Sequence, residues 1–527
     1  MIAFYIIGFV LALTSLYFEF RRQLMMLQQN SYRNERYRRW LSESGDSTTV
    51  VRLVTAAVAM ATLSTFSVPL VSMGLIAAVS IVNIFNLAGR KYKKPLALTR
   101  RAWRITLTQW LLLVVVCFVV GLACHGMGYG YEKVSVAVLF VFCLSAQFTQ
   151  LANWLLKPVE KHINGKFYNR AQETLRSMPG LKIVGITGSY GKTSTKHYLQ
   201  RILSEQYSTL MTPGSYNTTL GVVRTVNELL KPYHEVFIVE MGAKQKGDIK
   251  EICDLVRPSA GIITAVGPQH LETFHTIEGV RDTKFELADA LPADGLAVVN
   301  NDFEMIAGRK VDNVKCIRYG IENTEGCQYV ARDIVYGENA TVFTVEGGER
   351  MLTLTTQLLG ECNISNLVAA IAVATELGVS DERIAYAVSR IEPVEHRLSR
   401  RRLPNGLTII DDAFNSNPSG SKMALDVLSM MKHGHRFVIT PGMIELGERQ
   451  EELNHELGRH AAQCCDTAIV VNEYNRDAIV AGLKKGGMAE ERILTMPDFN
   501  SAFAYVMQHS KNGDTVLIEN DLPDTFK

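Results

Sequence analysis

Four long apolar stretches in the first 155 residues constrain the fold of this chain more than any other feature. They cover residues 2–18, 53–85, 107–124 and 134–155. A helix needs about 20 apolar residues to cross the hydrocarbon core of a bilayer. Residues 2–18 lack the basic leader and the small-residue cleavage site of a signal peptide, and further apolar segments follow. We therefore predict an α-helical transmembrane region over residues 1–157.

The basic loops between these stretches predict the orientation of the helices. Residues 21–52 contain seven arginines, and residues 88–106 contain seven Lys or Arg and no acid. Loops rich in Lys and Arg stay cytoplasmic. Both loops can be inside only if residues 53–85 form a tight hairpin that turns near residues 67–72. This predicts five spans in the plasma membrane, without buried charge, and a cytoplasmic C-terminal half. In the alternative, residues 53–85 form one long helix and the chain has four spans.

The rest of the chain has the composition of an ordinary globular protein. The full sequence has a formal net charge of +2. Its length of 527 residues is enough for three or four domains of about 150 residues. Its nine cysteines are scattered and show neither a zinc-type C-x-x-C spacing nor a disulfide framework. A reduced, cytosolic setting fits such cysteines. We expect the membrane as a partner, and no nucleic acid.

The stretch KIVGITGSYGKTSTK, residues 182–196, predicts a buried strand, a glycine-rich turn and the start of a helix. The common phosphate-binding loop has four residues between its glycines, whereas two separate Gly188 from Gly191. Backbone N–H groups at such a turn, together with a helix N-terminus, bind phosphate oxygens. We predict that Lys192 reaches the β- and γ-phosphates and that Thr193 ligates magnesium; a tight turn with an exposed lysine is the alternative. The predicted loop residues are Gly188, Ser189, Gly191, Lys192, Thr193 and Ser194.

The spelling T-G-[ST]-x-G-K-[ST] resembles that of the Mur ligase superfamily, the ATP-dependent amide ligases of peptidoglycan synthesis. Eight further segments between about residues 180 and 450 are similar to the family's in order and spacing. They are TPGSYNTTLGV (212–222), VFIVEMGAKQKGDI (236–249), PSAGIITAVGPQHLETF (258–274), TKFEL (283–287), NND (300–302), LLGECNISNLVAAIAVA (358–374), VEHRL (394–398) and IIDDAFNSNP (409–418). Within the superfamily, the chain most resembles the branch that adds D-alanyl-D-alanine to UDP-MurNAc-tripeptide.

The resemblance implies an α/β fold and a ligase reaction. After a linker, residues 158–178, it implies a central P-loop domain at 179–392, with an inserted β-rich region near 325–357, and a Rossmann-like domain at 393–527. With ATP and Mg²⁺, such an enzyme joins a carboxylate to an amine through an acyl phosphate. The implied partners are a peptide- or sugar-linked carboxylate, free or lipid-linked, and an amino acid or dipeptide.

Besides Thr193, three residues are expected to act at the metal. Glu240 ends an apolar strand, so its carboxylate should lie at the carboxyl edge of a parallel sheet, where a magnesium ligand is expected; a helix N-cap or a solvated loop acid is the alternative. His270 follows another apolar strand and should meet the same edge. The resemblance implies that Lys284 is carbamylated and ligates a second Mg²⁺, so that two metals stabilise the attacking and leaving oxygens. The alternative is that Lys284 is an ordinary solvated residue.

Further residues are expected to bind nucleotide or substrate. The resemblance places Asn301, Asn363 and Asn366 near adenine, with ordinary helix capping as the alternative for the last two. Cys362 stands where the family has a histidine. Arg397 and Asp412 should reach the nucleotide from the last domain, so that domain closure completes the site and excludes water. Asn217, Thr218 and Asn415 are the expected substrate-binding residues.

Two departures from the family leave alternatives open. No counterpart of the family's soluble UDP-sugar domain precedes residue 179, and its basic Lys-Gly-Ser-Arg motif is ENDLPD here, residues 519–524. A membrane-bound poly-γ-glutamate-type ligase is one alternative. An ATP-driven transport or sensing protein is another, against which the expected lack of buried charge in the spans argues. An inactive nucleotide-binding scaffold is the third, and Lys192, Thr193, Glu240 and His270 argue against it.

Overall fold

The chain forms two compact units, one from the N-terminus to Asn164 and the other Gly165–Asp521. The computed structural model describes residues 2–64, 69–90, 92, 94–130, 132–268, 271–337, 340–348, 350–414, 416–431, 433–444 and 446–522.

The first unit is helical. Its helices are α1 (Ile2–Gln29), α2 (Asn34–Glu43), α3 (Val50–Ser64), α4 (Pro69–Ala88), α5 (Arg100–Met127), α6 (Glu132–Cys143), α7 (Ser145–Leu155) and α8 (Lys157–Arg176), the last of which extends past the unit boundary. A 3₁₀ turn lies at Asp46–Thr48. Leu16 and Phe20 of α1 pack in one apolar cluster with Met73 of α4 and with Leu139 and Phe142 of α6.

Three described helices are long and apolar enough to cross a membrane. These segments are Ala3–Gln29, Leu70–Ala88 and Arg100–Met127. The pair α6 and α7 passes the same test together but bends by 77° at its break, so it makes a fourth candidate only if it counts as one span. Helix α3 has 15 residues, fewer than the ~20 that a bilayer core requires. Five spans therefore stay a prediction.

Residues 53–85 lie in two helices, α3 and α4, which pack against each other. The alternative of a single long helix is therefore wrong. Residues 65–68, which include the start of the expected turn, lie outside the described residues.

The predicted spans themselves hold no charged residue, but buried charges lie directly beside two of them. Helix α1 continues beyond residue 18 and buries Glu19, which is 2% exposed. Arg52 of α3 pairs with Glu19 and lies 3.4 Å from Asp46, and Arg22 pairs with Asp46. Each of these charges has an opposite partner, which offsets the cost of removing it from water. The network therefore joins α1, α3 and the 3₁₀ turn, and does not by itself indicate a transport path.

The second unit contains a nine-stranded sheet with helices on both faces. Its elements in chain order are β1 (Lys182–Thr187), α9 (Lys192–Leu203), β2 (Thr209–Met211), α10 (Thr219–Leu229), β3 (Val236–Glu240), α11 (Asp248–Val256), β4 (Ala260–Ile263), α12 (Leu271–Phe274), α13 (Ile277–Asp289), β5 (Leu296–Asn300), α14 (Glu304–Ala307), β6 (Lys315–Gly320), β7 (Tyr329–Tyr336), β8 (Thr341–Gly347), β9 (Arg350–Thr356), α15 (Glu361–Glu376) and α16 (Asp381–Ser389). The strand order is β2-β3-β1-β4-β5-β6-β7-β8-β9.

Strands β1 to β7 pair in parallel, and β7, β8 and β9 form an antiparallel extension. Neighbouring residues of β1 belong to different cores. Val184 packs in the cluster that includes α9 and α15, and Ile183 packs in the cluster that includes α11 and α13. Burial on both faces explains why these strands read as continuous apolar runs.

A six-stranded sheet completes the second unit. Its elements are β10 (Ser399–Arg402), β11 (Thr408–Asp412), α17 (Pro418–Ser429), β12 (Arg436–Thr440), α18 (Gln450–Cys464), β13 (Thr467–Val471), α19 (Arg476–Lys485), β14 (Ile493–Met496), α20 (Phe499–His509) and β15 (Thr515–Glu519), with 3₁₀ turns at Gly447–Arg449 and Glu490–Arg492. The order is β10-β11-β15-β12-β13-β14, and only β10 is antiparallel among these strands. The predicted α/β architecture is confirmed, while the exact domain limits stay a prediction.

Candidate nucleotide-binding site

A small polar cavity lies where β1 and β3 end, in front of the N-terminus of α9. It is lined by Ser189, Tyr190, Gly191, Lys192, Thr193, Ser194, Ser215, Asn217, Glu240, Arg397, Phe414 and Asn417. Its volume is about 60 Å³, far below the ~300–1,000 Å³ of pockets that enclose a whole drug-sized ligand. A cavity of this size and polarity has room for phosphate oxygens but not for a whole nucleotide.

Two glycines give the loop its shape. Gly188 has φ 152° and Gly191 has φ 81°, a region in which residues with a Cβ are strained. A Cβ at Gly188 would collide with the Thr264 hydroxyl, and one at Gly191 would collide with the Asn366 side chain. Gly191 also precedes α9 without a side-chain cap, so the first N–H groups of the helix have no side chain covering them. Such groups bind anions.

Lys192 places its ammonium group inside this loop. Its Nζ donates hydrogen bonds to the carbonyl oxygens of Gly188 at 2.6 Å and Ser189 at 3.1 Å. Burial lowers the pKa of Lys192 to about 8, although the nearby Glu240 carboxylate opposes this. A bound phosphate would bring negative charge to this amine and favour its charged form. The exposed-lysine alternative is wrong.

Glu240 is the buried carboxylate of the cavity and is 1% exposed. Its Oε2 lies 2.9 Å from the Nζ of Lys196, and its Oε1 accepts a hydrogen bond from the Asn217 amide at 3.1 Å. Burial works to raise the pKa of Glu240, but Lys196 and Lys192 together hold that pKa below its usual value. The residue is thus an ionised acid at the last position of β3, and neither an N-cap nor a solvated loop acid.

The cavity also has a wall from the second sheet of this unit. The Arg397 guanidinium lies 4.5 Å from the centre of the Phe414 ring, and burial lowers the pKa of Arg397. The Tyr190 hydroxyl donates a hydrogen bond to Ser419 Oγ at 3.0 Å. Asp412 accepts a hydrogen bond from the Leu398 N–H at 3.1 Å and, although it lies beside Arg397, burial raises its pKa. Residues from both sheets therefore close the cavity.

A second acid lies beside Asp412 at the end of the neighbouring strand. Asp412 and Glu519 are register partners of β11 and β15. Glu519 is fully buried and accepts a hydrogen bond from the Ser416 hydroxyl, while its Oε2 has no partner among the described residues. Burial, and then the neighbouring Asp412, raise the pKa of Glu519. The acid at the start of ENDLPD therefore keeps its proton to higher pH than an exposed glutamate does.

Lys284 on α13 is 2% exposed, so the alternative of a solvated residue is wrong. Burial, with a smaller effect of Lys192, lowers the pKa of Lys284 to about 7. A large fraction of its amine is thus neutral at physiological pH, and the neutral amine is the form that reacts with carbon dioxide. Carbamylation itself stays a prediction.

Six of the predicted binding residues that the structure describes do not line the cavity: Gly188 and Asp412, described above, and Asn301, Asn363, Asn366 and Thr218. Asn363 accepts a hydrogen bond from the Tyr198 hydroxyl and donates to the Leu359 carbonyl. Asn301 bonds to Arg318 and to the carbonyls of residues 323 and 325. Asn366 accepts from the Thr195 hydroxyl beneath the loop, and Thr218 caps α10. Direct ligand contacts by these six residues stay a prediction; His270 and Asn415 lie outside the described residues.

Sequence reasoning missed four lining residues of the cavity, Tyr190, Ser215, Phe414 and Asn417, and also Lys196, which pairs with Glu240 behind it. Lys196 follows Lys192 by four residues, one helical turn, and this spacing could have identified it. Asn417 precedes Pro418, and an Asn followed by Pro is typical of a helix start; its side chain accepts a hydrogen bond from the Gly420 N–H at 2.9 Å. Tyr190 occupies the variable position of the loop motif, and nothing local indicates its contact with Ser419.

Comparison with known proteins agrees with this geometry. Residues 186–374 match the Mur ligase middle domain, and residues 396–519 match the Mur ligase, glutamate ligase domain. The UDP-N-acetylmuramoyl-tripeptide--D-alanyl-D-alanine ligase of Mycobacterium bovis is 30% identical over 361 residues, which are 64% of this chain and 70% of that protein. The chain belongs to the Mur ligase family.

Further relatives specify the kind of Mur ligase. The equally named enzyme of Bacillus subtilis is 29% identical over 343 residues, which are 64% of this chain and 73% of that protein. The structure of MurF ligase from Thermotoga maritima in complex with ADP superposes with a TM-score of 0.61 at 26% identity, covering 68% of this chain and 80% of that one. This Mur ligase is an ATP-dependent acid–amino-acid ligase of peptidoglycan synthesis.

Proposed function

We propose that this Mur ligase is held in the plasma membrane by its N-terminal helices and works on an acceptor that is linked to the membrane or delivered there. The observation that carries the proposal is the presence, in one chain, of three apolar helices of spanning length and a polar cavity at the glycine-rich loop. The basic loops favour a cytoplasmic position of that cavity.

The cavity residues fit ATP and Mg²⁺. Lys192 and the free N–H groups of α9 would hold the β- and γ-phosphates. The Thr193 hydroxyl and the Glu240 carboxylate are hard oxygen donors, which Mg²⁺ prefers, and we assign them as its ligands. Lys284, as a carbamate, and His270 are the proposed ligands of a second ion. When bound, magnesium would neutralise charge on the phosphate oxygens.

The proposed reaction has two steps. A carboxylate oxygen of the acceptor bonds to the γ-phosphorus while the bond from that phosphorus to the β,γ-bridging oxygen breaks, so ADP leaves. The amine then bonds to the acyl carbon, phosphate leaves with the acyl-phosphate oxygen, and the amine loses a proton. Arg397, Phe414 and Asn417 approach the loop from the second sheet, and such closure protects an acyl phosphate from water.

The acceptor is proposed to be a carboxylate on a peptide or sugar, and the amine an amino acid or dipeptide. The relatives' names describe a ligase of UDP-N-acetylmuramoyl-tripeptide and D-alanyl-D-alanine. A membrane-linked acceptor suits the helical unit, because confining enzyme and acceptor to one thin layer raises their effective concentration, as linking two binding modules does.

A truncation tests this proposal. Full-length protein in liposomes is compared with a chain that starts near Asn164, on a lipid-linked acceptor and on its soluble head group. We expect truncation to reduce mainly the reaction with the lipid-linked acceptor. Equal loss on both acceptors, or no loss on either, would refute a role of the helices in acceptor use.

Cysteine labelling tests the five-span topology. In a variant without native cysteines, Ser44→Cys in the basic loop 21–52 should be protected from a reagent confined to the exterior. Tyr129→Cys should react, because the five-span topology places the loop 125–133 outside. Labelling at residue 44 from outside would contradict the orientation.

A further inference from the structure

We propose that Asp426, His460 and Cys464 form a zinc site between α17 and α18. The His460 Nε2 lies 2.7 Å from the Asp426 Oδ1 and 3.6 Å from the Cys464 Sγ. All three potential ligand atoms lie within 4.8 Å of one another. His460 and Cys464 are one turn apart on α18, which places both side chains on the same helix face.

The donor set selects the metal. A thiolate, an imidazole and a carboxylate together suit zinc, which binds such ligands at about 2.0–2.3 Å in a tetrahedral arrangement. Tetrahedral bonds of that length separate ligand atoms by about 3.3–3.8 Å. The sulfur–nitrogen pair already has this separation, and the nitrogen–oxygen pair needs to widen by less than about 1 Å. Mg²⁺, the ion expected in the phosphate cavity, prefers oxygen ligands alone.

The residues around the three proposed ligands leave room for a zinc ion with one coordination position open to water. The Cys464 side chain is buried, whereas the side chains of His460 and Asp426 are 27% and 41% exposed, so water can supply a fourth ligand. Arg436, whose charge acts on Cys464, is paired with Asp466 at 2.9 Å, which reduces its repulsion of a metal.

Zinc binds a cysteine side chain as the thiolate. A bound zinc ion would displace the proton of the Cys464 thiol and take the thiolate as a ligand.

The proposed ion would fasten a helix that reaches the phosphate cavity. Helix α17 carries Asp426 in its last half, Asn417 caps its start and lines the cavity, and Ser419 contacts Tyr190. Binding zinc would hold α17 to α18 by a coordinate link as well as by apolar packing. The site would be structural, and its existence is independent of the ligase reaction proposed above.

Cobalt substitution tests the site in the full-length protein. After treatment with a chelator, the detergent-solubilised protein is titrated with Co²⁺, and the thiolate-to-cobalt charge-transfer band is recorded. We expect one thiolate-bound Co²⁺ per chain, displaced by one equivalent of Zn²⁺. Cobalt in the magnesium site would not give this band, because the described residues lining that cavity include no cysteine.

Two variants and a matched control decide the assignment. Cys464→Ser should abolish the band, and His460→Gln should weaken binding by more than the ~10- to 100-fold that loss of an outer-shell partner costs. Cys465→Ser should keep the band, since the Cys465 thiol donates to the Ala461 carbonyl instead. Absence of the band in the parent protein, its persistence in Cys464→Ser, or an unchanged Co²⁺ affinity in His460→Gln would overturn the proposal.

Discussion

Lys196 and Glu240 form a buried ion pair, 2.9 Å long, behind the phosphate loop, with side chains that are 0% and 1% exposed. Lys196 lies one turn after Lys192 on α9, so two lysines face one carboxylate. The acid proposed as a magnesium ligand is therefore kept ionised by a residue outside the predicted site. This arrangement makes the charge state of the site part of the stability of the fold.

Removing one partner of this ion pair should destabilise the protein more than removing both partners. Lys196→Met leaves a buried, uncompensated Glu240 and should cost about 3–5 kcal/mol of unfolding free energy. Adding Glu240→Gln to Lys196→Met should restore most of that loss without restoring ligation. Urea unfolding of the single and double variants measures this. If the losses of unfolding free energy from the two substitutions simply add, the two residues are not coupled. The exposed pair Lys250 and Asp254 provides the control, with an expected effect below ~1 kcal/mol.

Loss of Lys192 should remove activity and leave the fold. Lys192→Ala deletes the cation that we propose to face the transferred phosphate, and such losses reduce turnover by about 10²–10³-fold. ATP-dependent product formation measures the effect, with thermal unfolding as the check on folding. Lys250→Ala, on the exposed surface of α11, is the matched control. Near-parental ligation by Lys192→Ala would refute the assignment.

The buried carboxyl of Glu519 should make stability fall as pH rises. The unfolded chain releases this proton near the ordinary glutamate pKa of about 4.3, whereas the folded chain retains it to higher pH because burial raises the pKa of Glu519. Between these values the folded state binds more protons, so its stability declines with increasing pH. Glu519→Gln should remove this pH-dependent loss of stability. The urea midpoint of the variant, relative to that of the parent protein, should therefore rise between pH 4 and pH 7.

The matched control for this effect is Glu490→Gln. A hydrogen bond from Lys484 lowers the pKa of the exposed Glu490, so the contribution of Glu490 to folding stability grows as pH rises. Glu490→Gln should therefore not reduce the decline of stability between pH 4 and pH 7. A constant difference between the parent and Glu519→Gln across this range would mean that Glu519 is ionised in the folded protein.

The contact between Tyr190 and Ser419 should contribute to ATP affinity. A neutral hydrogen bond contributes about 0.5–1.5 kcal/mol, so Tyr190→Phe should raise KM for ATP by about 2- to 12-fold. Ser419→Ala should have a similar effect, and the double variant should be no worse than either single one. Steady-state kinetics measures this, with the exposed Tyr233→Phe as control. Additive effects would show that the two hydroxyls act separately.

Local features of the site were predictable from sequence, and contacts between distant segments were not. The strand, the glycine turn and the helix start over residues 182–196 follow from apolar runs and turn chemistry, and so does the position of Glu240 at a strand end. The pairing of Tyr190 with Ser419, and the meeting of Asp426 with His460 and Cys464, depend on how segments far apart in sequence pack together. Spacing rules such as C-x-x-C examine only neighbours along the chain.

The helical unit shows the same limit. Apolar length correctly indicated helices over residues 2–18 and 107–124, but not the 77° bend between α6 and α7. Leu144 at the break is neither Gly nor Pro, so no helix-breaking residue marks it. The burial of Glu19 was likewise hidden, because its partners Arg52 and Ser145 come from other helices.

The crowding around Gly188 and Gly191 has a consequence for inhibitor design. Any side chain at these positions would strike Thr264 or Asn366, and the backbone there is strained for other residues. A compound anchored on the N–H groups of this loop would therefore contact positions at which resistance mutations also disable the enzyme.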